Sequence, residues 1–183
     1  GKTMSPVALT KQYRVIFVCA ATHIGLQLAR ACVSMEIPIG LAFGCNDAED
    51  IRLHYAAAKD YVKNRRTGGI FRVDNSVGDN VEIMICDIKS YILAMNYMIK
   101  FNSPDNIILY WDEPTITMDY DYHPIHKTIK DNWCKNIIPN VILSSATLPT
   151  QEEMSASISD FCTTFQDAKI YSIGSYDFKK TIP

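Results

Sequence analysis

The sequence predicts an α/β chain with a mainly parallel central sheet and helices on both of its sides. Two observations carry that prediction. Short runs that are apolar at consecutive positions, such as Val15 to Cys19 and Ile107 to Trp111, alternate along the chain with longer amphipathic stretches. Runs without a polar alternation are what strands buried on both faces require, and helices between them supply the crossovers that parallel pairing needs.

Taken in order, 14–19 reads as a buried strand, and 23–35 reads as a helix that can turn many of Ile24, Leu26, Leu28, Ala31 and Cys32 inward. Residues 37–43 read as a strand, 51–64 as a helix, 81–86 as a strand and 88–101 as a helix. Residues 107–111 then read as a strand, 125–135 as a helix, 141–144 as a strand, 151–165 as a helix and 168–173 as a last strand. Thr150 with Glu153 three positions on resembles a capping box for the helix that follows.

A chain of 183 residues, 48% hydrophobic and 21% charged, has the size and composition of one domain, here 1–183. Its net charge of −2 does not argue for a polyanion-binding protein on global electrostatics, although a local basic stripe is compatible with it. Six cysteines without a CxxC pair, four of them in apolar runs, point to a reducing, intracellular setting. No apolar run approaches the ~18 residues of a membrane span. The chain opens on Gly1 and ends on Pro183, and a piece of something longer is expected.

Chemistry in a sheet of this kind gathers at the carboxyl ends of its strands. Asp112 and Glu113 stand there, directly after the run Ile107 to Trp111. Two adjacent carboxylates need hydrogen bonds, cations or a metal. Mg²⁺ meets that need, because it takes oxygen ligands, keeps waters and holds substrate phosphates. One acid then holds the metal and the other activates water; the plain alternative is a strand that ends in a polar turn at Pro114. Gly1-Lys2-Thr3 reads as the end of a phosphate loop, with Lys2 on the phosphates and Thr3 in the Mg²⁺ shell, or else as a sequence remnant. Ser145 and Thr147 follow another apolar strand and bring two hydroxyls to the same edge.

In that order, Gly1-Lys2-Thr3, Asp112-Glu113-Pro114-Thr115 and Ser145-Ala146-Thr147 resemble motifs I, II and III of the DExx/DEAD-like superfamily-two helicases and translocases. The separation of 33 positions between Asp112 and Ser145 leaves room for one helix and one strand. The resemblance implies a RecA-like P-loop NTPase three-layer sandwich, truncated at the phosphate-binding loop, with ATP and Mg²⁺ as cofactors. It implies cofactor binding by Gly1, Lys2 and Thr3, metal ligation by Thr3 and Asp112, catalysis by Lys2, Asp112 and Glu113, and coupling through Ser145 and Thr147. It also implies an RNA or DNA partner, contacted by Thr22, His23 and Gln27 after the first strand and by Asp87 after the strand ending at Cys86. Ser172 to Pro183 looks like the hinge toward a second RecA-like domain, which would supply the arginine finger. Thr115 stands where that family has Asp or His, so the DEAD-box subclass is not expected, and the usual link from this position to the motif III serine is expected to be altered or missing.

Other clusters have plainer readings. His123 and His126, with Asp119, Asp121 and Cys134 nearby, follow no recognised metal spacing. Lys63 to Gly69 reads as the basic end of a helix with a glycine stop, or as a loop that pairs with phosphates. Tyr110, Trp111, Tyr120 and Tyr122 read as packing before base stacking. Against the helicase reading stand another P-loop ATPase, such as a packaging motor or kinase, and a catalytically silent binding module.

Overall fold

The computed structural model describes residues 4–174. Gly1, Lys2 and Thr3, and the hinge positions beyond Gly174, lie outside the described residues. The chain divides into two compact units, Gly1–Ala146 and Thr147–Pro183.

The first unit is built on a six-stranded sheet. Its strands are β1 (Arg14–Cys19), β2 (Ile39–Ala42), β3 (Arg52–Leu53), β6 (Ile83–Asp87), β7 (Ile107–Asp112) and β8 (Asn140–Ser144), in the spatial order β3-β2-β6-β1-β7-β8. Every pairing is parallel except β2 with β3. Val15, Phe17, Ile83, Ile85 and Tyr110 pack on one face with Leu28, Ala29 and Cys32 of α2 (Thr22–Ser34), and Val7 and Leu9 of α1 (Ser5–Leu9) join them. Ile16, Val18, Met84, Leu109 and Trp111 pack on the other with Tyr91, Ala94, Met95 and Met98 of α3 (Tyr91–Ile99) and with Ile125 and Ile129 of α4 (Ile125–Lys135). This is the α/β architecture of three layers that both-face-buried strands demand. No described helix is long and apolar enough to cross a membrane.

Buried polar groups tie the layers together. Tyr91 donates its hydroxyl proton to Asn136 Oδ1 at 2.6 Å, and Asn132 Nδ2 donates to the Ile88 carbonyl at 2.6 Å. Cys19, Cys32, Cys45 and Cys86 are buried, while Cys134 and Cys162 are exposed. Burial pushes the Cys32 thiol up to about 11.

Gly25 sets how closely α2 approaches the sheet. A Cβ there would lie 2.7 Å from Phe43 Cζ, 2.9 Å from Cys19 Sγ and 3.0 Å from Ile85 Cγ2. Gly25→Ala is therefore expected to destabilise the fold by about 1–3 kcal/mol through overpacking, outweighing the gain in helix propensity. Urea denaturation of the two proteins measures this; equal midpoints would show that the helix rides over the sheet with room to spare.

The helix expected over 51–64 does not form. Ile51 and Leu53 are buried with Arg52 exposed between them, a period of two, and the Leu53 N–H donates to Asn75 Oδ1 at 2.7 Å. The following alanines make one turn, with Ala57 and Ala58 N–H groups donating to the His54 carbonyl, and the chain then enters β4 (Tyr61–Lys63). β4 pairs antiparallel with β5 (Ile70–Val73) in a separate two-stranded sheet.

In the second unit, Thr150 and Glu153 make the expected box: Thr150 N–H and Oγ1 donate to Glu153 Oε2 at 2.8 and 3.0 Å, and Glu153 N–H donates back to Thr150 Oγ1 at 3.3 Å. Those donors hold the Glu153 carboxyl below its ordinary range. Helix α5 (Ser155–Thr164) follows after a turn. The strand expected over 168–173 does not form among the described residues; the segment takes no regular secondary structure, and Tyr171 and Ile173 are exposed.

Candidate nucleotide and nucleic-acid site

Parallel strands end on one edge, and several of the expected site residues among the described ones stand at or just after those ends. β1 ends at Cys19 with Thr22 opening α2, β6 ends at Asp87, β7 ends at Asp112 and β8 ends at Ser144. Asp112 lies in register with Ser144, and the Glu113 N–H donates to the Ser144 carbonyl at 2.7 Å.

The acidic loop and the hydroxyl loop are joined by side chains. Ser145 donates its hydroxyl proton to Glu113 Oε2 at 2.6 Å, and the Ala146 N–H reaches Glu113 Oε1 at 3.4 Å. Thr115 Oγ1 lies 3.4 Å from Ser145 Oγ. Thr115 and Ser145, the two positions whose link was expected to be altered or missing, thus stand hydroxyl to hydroxyl. A short hydroxyl-to-carboxylate bond of this type is strong and directional. It fixes one oxygen of Glu113 and leaves the second more weakly engaged.

The backbone at this loop is bent into the left-handed region twice, at Glu113 (φ 50°) and Thr117 (φ 71°). For residues with a Cβ this costs on the order of 1–3 kcal/mol each, and for a β-branched threonine it is rare. The Thr117 carbonyl is held by His126 Nε2 at 2.9 Å. His123 Nδ1 accepts the Ile125 N–H at 3.2 Å. Both histidines therefore serve the loop and the start of α4, and no group of three or more His, Cys, Asp or Glu among the described residues is arranged to hold a metal.

Asp87 has a defined structural task. Its Oδ2 accepts the Gly44 N–H at 2.6 Å and its Oδ1 accepts the Ser90 N–H at 2.7 Å, while Ser90 Oγ accepts the Cys45 N–H at 3.0 Å. Gly44 has φ 60°, the conformation that lets its N–H turn toward the carboxylate. Asp87 therefore clasps the loop after β2 to the loop after β6. Asp87 and Asp112 both bear on the Cys19 thiol between them, which is pushed up to about 11, chiefly by burial. Two carboxylates, Asp87 and Asp112, thus lie close enough to Cys19 to act on it.

Thr22, His23 and Gln27 are exposed on α2, with Thr22 its first residue, while Gly25 and Leu28 of the same helix are buried. Ser145 belongs to the first unit and Thr147 begins the second. Missed by sequence reasoning were Ala146, whose backbone N–H meets Glu113, the Asp87 clasp and the β4–β5 ribbon. Only the ribbon had a local signal, because Tyr61-Val62 and Ile70-Phe71 flank the turn-forming Asn64 to Gly69. No family model matches the chain, and no curated protein matches it.

Proposed function

We propose that this chain is the ATP-binding and hydrolysing RecA-like half of a nucleic-acid-dependent helicase or translocase of the superfamily-two type. The observation that carries the reading is the 2.6 Å bond from Ser145 to Glu113. A strand that merely ends in a polar turn has no use for a strained carboxylate oriented by the hydroxyl of the neighbouring strand's loop. A motor that must couple a hydrolytic acid to a moving element does.

The donor chemistry fits ATP·Mg²⁺. Asp112 presents carboxylate oxygen at the sheet edge, and one or two carboxylates with substrate phosphates is the set Mg²⁺ uses. Asp112 and Thr3 would hold the ion, and Lys2 would reach the phosphates. The bound ion would supply neutralisation of charge on the transferring phosphoryl group. Glu113, its Oε2 occupied by Ser145, orients the attacking water and takes its proton at Oε1. Thr22, His23 and Gln27, exposed at the same edge, are the positions for the nucleic-acid backbone, and Asp87 shapes the loops beside them without offering phosphate a favourable partner.

The experiment is equilibrium binding of a fluorescent ATP analogue with Mg²⁺ to the intact protein and to Lys2→Ala. Loss of a charge-assisted phosphate contact is expected to weaken binding about tenfold or more. Equal affinities would remove Lys2 from the site and the phosphate loop from the reading.

A further inference from the structure

The β4–β5 ribbon has no part in the ATPase reading. Its root is anchored: the Asp74 N–H donates to the Asp60 carbonyl at 3.0 Å, and Val73 packs against the hydrophobic core. Its tip is built rather than loose. Asn64 Oδ1 accepts the Arg66 N–H at 2.8 Å, the Gly68 N–H donates to the Asn64 carbonyl at 2.8 Å, and the Asn64 N–H donates to the Gly69 carbonyl at 2.7 Å. Gly68 takes φ 69°, which closes the turn and which side chains disfavour. Arg65 and Arg66 therefore sit on a tip held by its own hydrogen bonds.

Its charge is unlike that of the chain. Lys59, Lys63, Arg65, Arg66 and Arg72 are five of the 18 Lys and Arg residues, and Asp60 is the single acid among 59–73, in a chain of net charge −2. The one ion pair among the described residues is Arg14 with Glu82, so these five cations are not neutralised by the fold; Arg72 does lower the Asp74 carboxyl slightly, after that group's bonds to Ser76.

Beside the cations stand exposed rings. Phe71 is 75% exposed and Tyr61 41%; Lys63 Nζ lies 5.7 Å from the Tyr61 ring centroid, and Tyr55 meets that ring edge-on at 5.5 Å. Cations alone would serve solubility, and an exposed phenylalanine works against it. A surface that needs both at once is one that meets phosphates and flat π faces together. Single-stranded nucleic acid presents that combination, whereas a duplex keeps its base faces stacked inside.

We infer that the β4–β5 ribbon is a second nucleic-acid contact, specific for single strands, with Arg65 and Arg66 on phosphates and Phe71 stacked on a base. It deepens the motor reading and rests on that reading for the class of partner. The grip on the strand comes from the ribbon's own residues.

The test is fluorescence anisotropy of labelled oligonucleotides of about 20 residues, U-only RNA, T-only DNA and a duplex, titrated with the chain at several salt concentrations. The proteins are the parent, Arg65→Glu/Arg66→Glu, Phe71→Ala and Thr22→Ala/Gln27→Ala. The parent is expected to bind single strands more tightly than duplex. The double charge reversal is expected to weaken binding at least about tenfold and to flatten the dependence of log K on log salt by about 1.4, the share of two phosphate contacts on a single strand. Phe71→Ala is expected to weaken it about tenfold with the salt slope unchanged. All three ribbon positions are exposed, and unchanged melting temperatures check that the fold is kept. A preference between RNA and DNA names the sugar and supports the assignment either way. Parent-like binding by both ribbon variants, with loss confined to Thr22→Ala/Gln27→Ala, overturns the ribbon and leaves the motor reading standing. A parent that binds anionic phospholipid vesicles and none of the oligonucleotides overturns both.

Discussion

Glu113→Gln in the intact protein is expected to leave ATP bound and to lower its hydrolysis by about 10²–10⁴-fold, the usual worth of a positioned general base. The amide has the size of the acid and its oxygen can still accept the Ser145 hydroxyl, so the 2.6 Å contact that orients the side chain survives the change. What is lost is the ability to take a proton from water. Single-turnover hydrolysis separates the two effects, because binding and chemistry are read from the same experiment. A variant with near-parent turnover would place water activation elsewhere and leave Glu113 as a loop-shaping residue.

Ser145→Ala combined with Thr147→Ala is expected to give a different pattern, with ATP affinity nearly unchanged and movement on nucleic acid reduced about tenfold more than hydrolysis. The physical reason lies in the joint between the acidic loop and the hydroxyl loop. Removing the Ser145 hydroxyl takes the short donor away from Glu113 Oε2 and the 3.4 Å neighbour away from Thr115 Oγ1. The carboxylate still stands at the end of β7, held through the Glu113 N–H on the Ser144 carbonyl, so chemistry persists. The two loops, however, no longer move as one. A coupling energy between sites is carried by contacts of this kind, and strand displacement per ATP consumed measures it. Equal losses in hydrolysis and movement would remove the coupling role and make the pair purely catalytic.

The parallel core was legible in the sequence because burial on both faces leaves an unmistakable mark. Val15 to Cys19 and Ile107 to Trp111 have no polar position to alternate, and both are central strands. Asp112 and Glu113 were legible for the same reason, since acids that follow such a run must emerge at the sheet edge. The stretch 51–64 was misread because its alanines and flanking charges favour a helix locally, while the burial of Ile51 and Leu53 and the cap from Asn75 are set by residues far along the chain. The strand expected at 168–173 has apolar residues but pairs with no strand among the described residues, and a strand is stable only with its ladder. The Asp87 clasp could not be read at all. It joins Gly44 to Ser90 across 46 positions, and only the parallel pairing of β2 with β6 brings those loops together.

The most direct measurement of the central claim is steady-state ATP hydrolysis by the intact protein with and without single-stranded RNA or DNA, run beside Glu113→Gln. The account expects stimulation by nucleic acid of about tenfold or more, abolished by the substitution. Hydrolysis that is indifferent to nucleic acid, or that persists in Glu113→Gln, would contradict it.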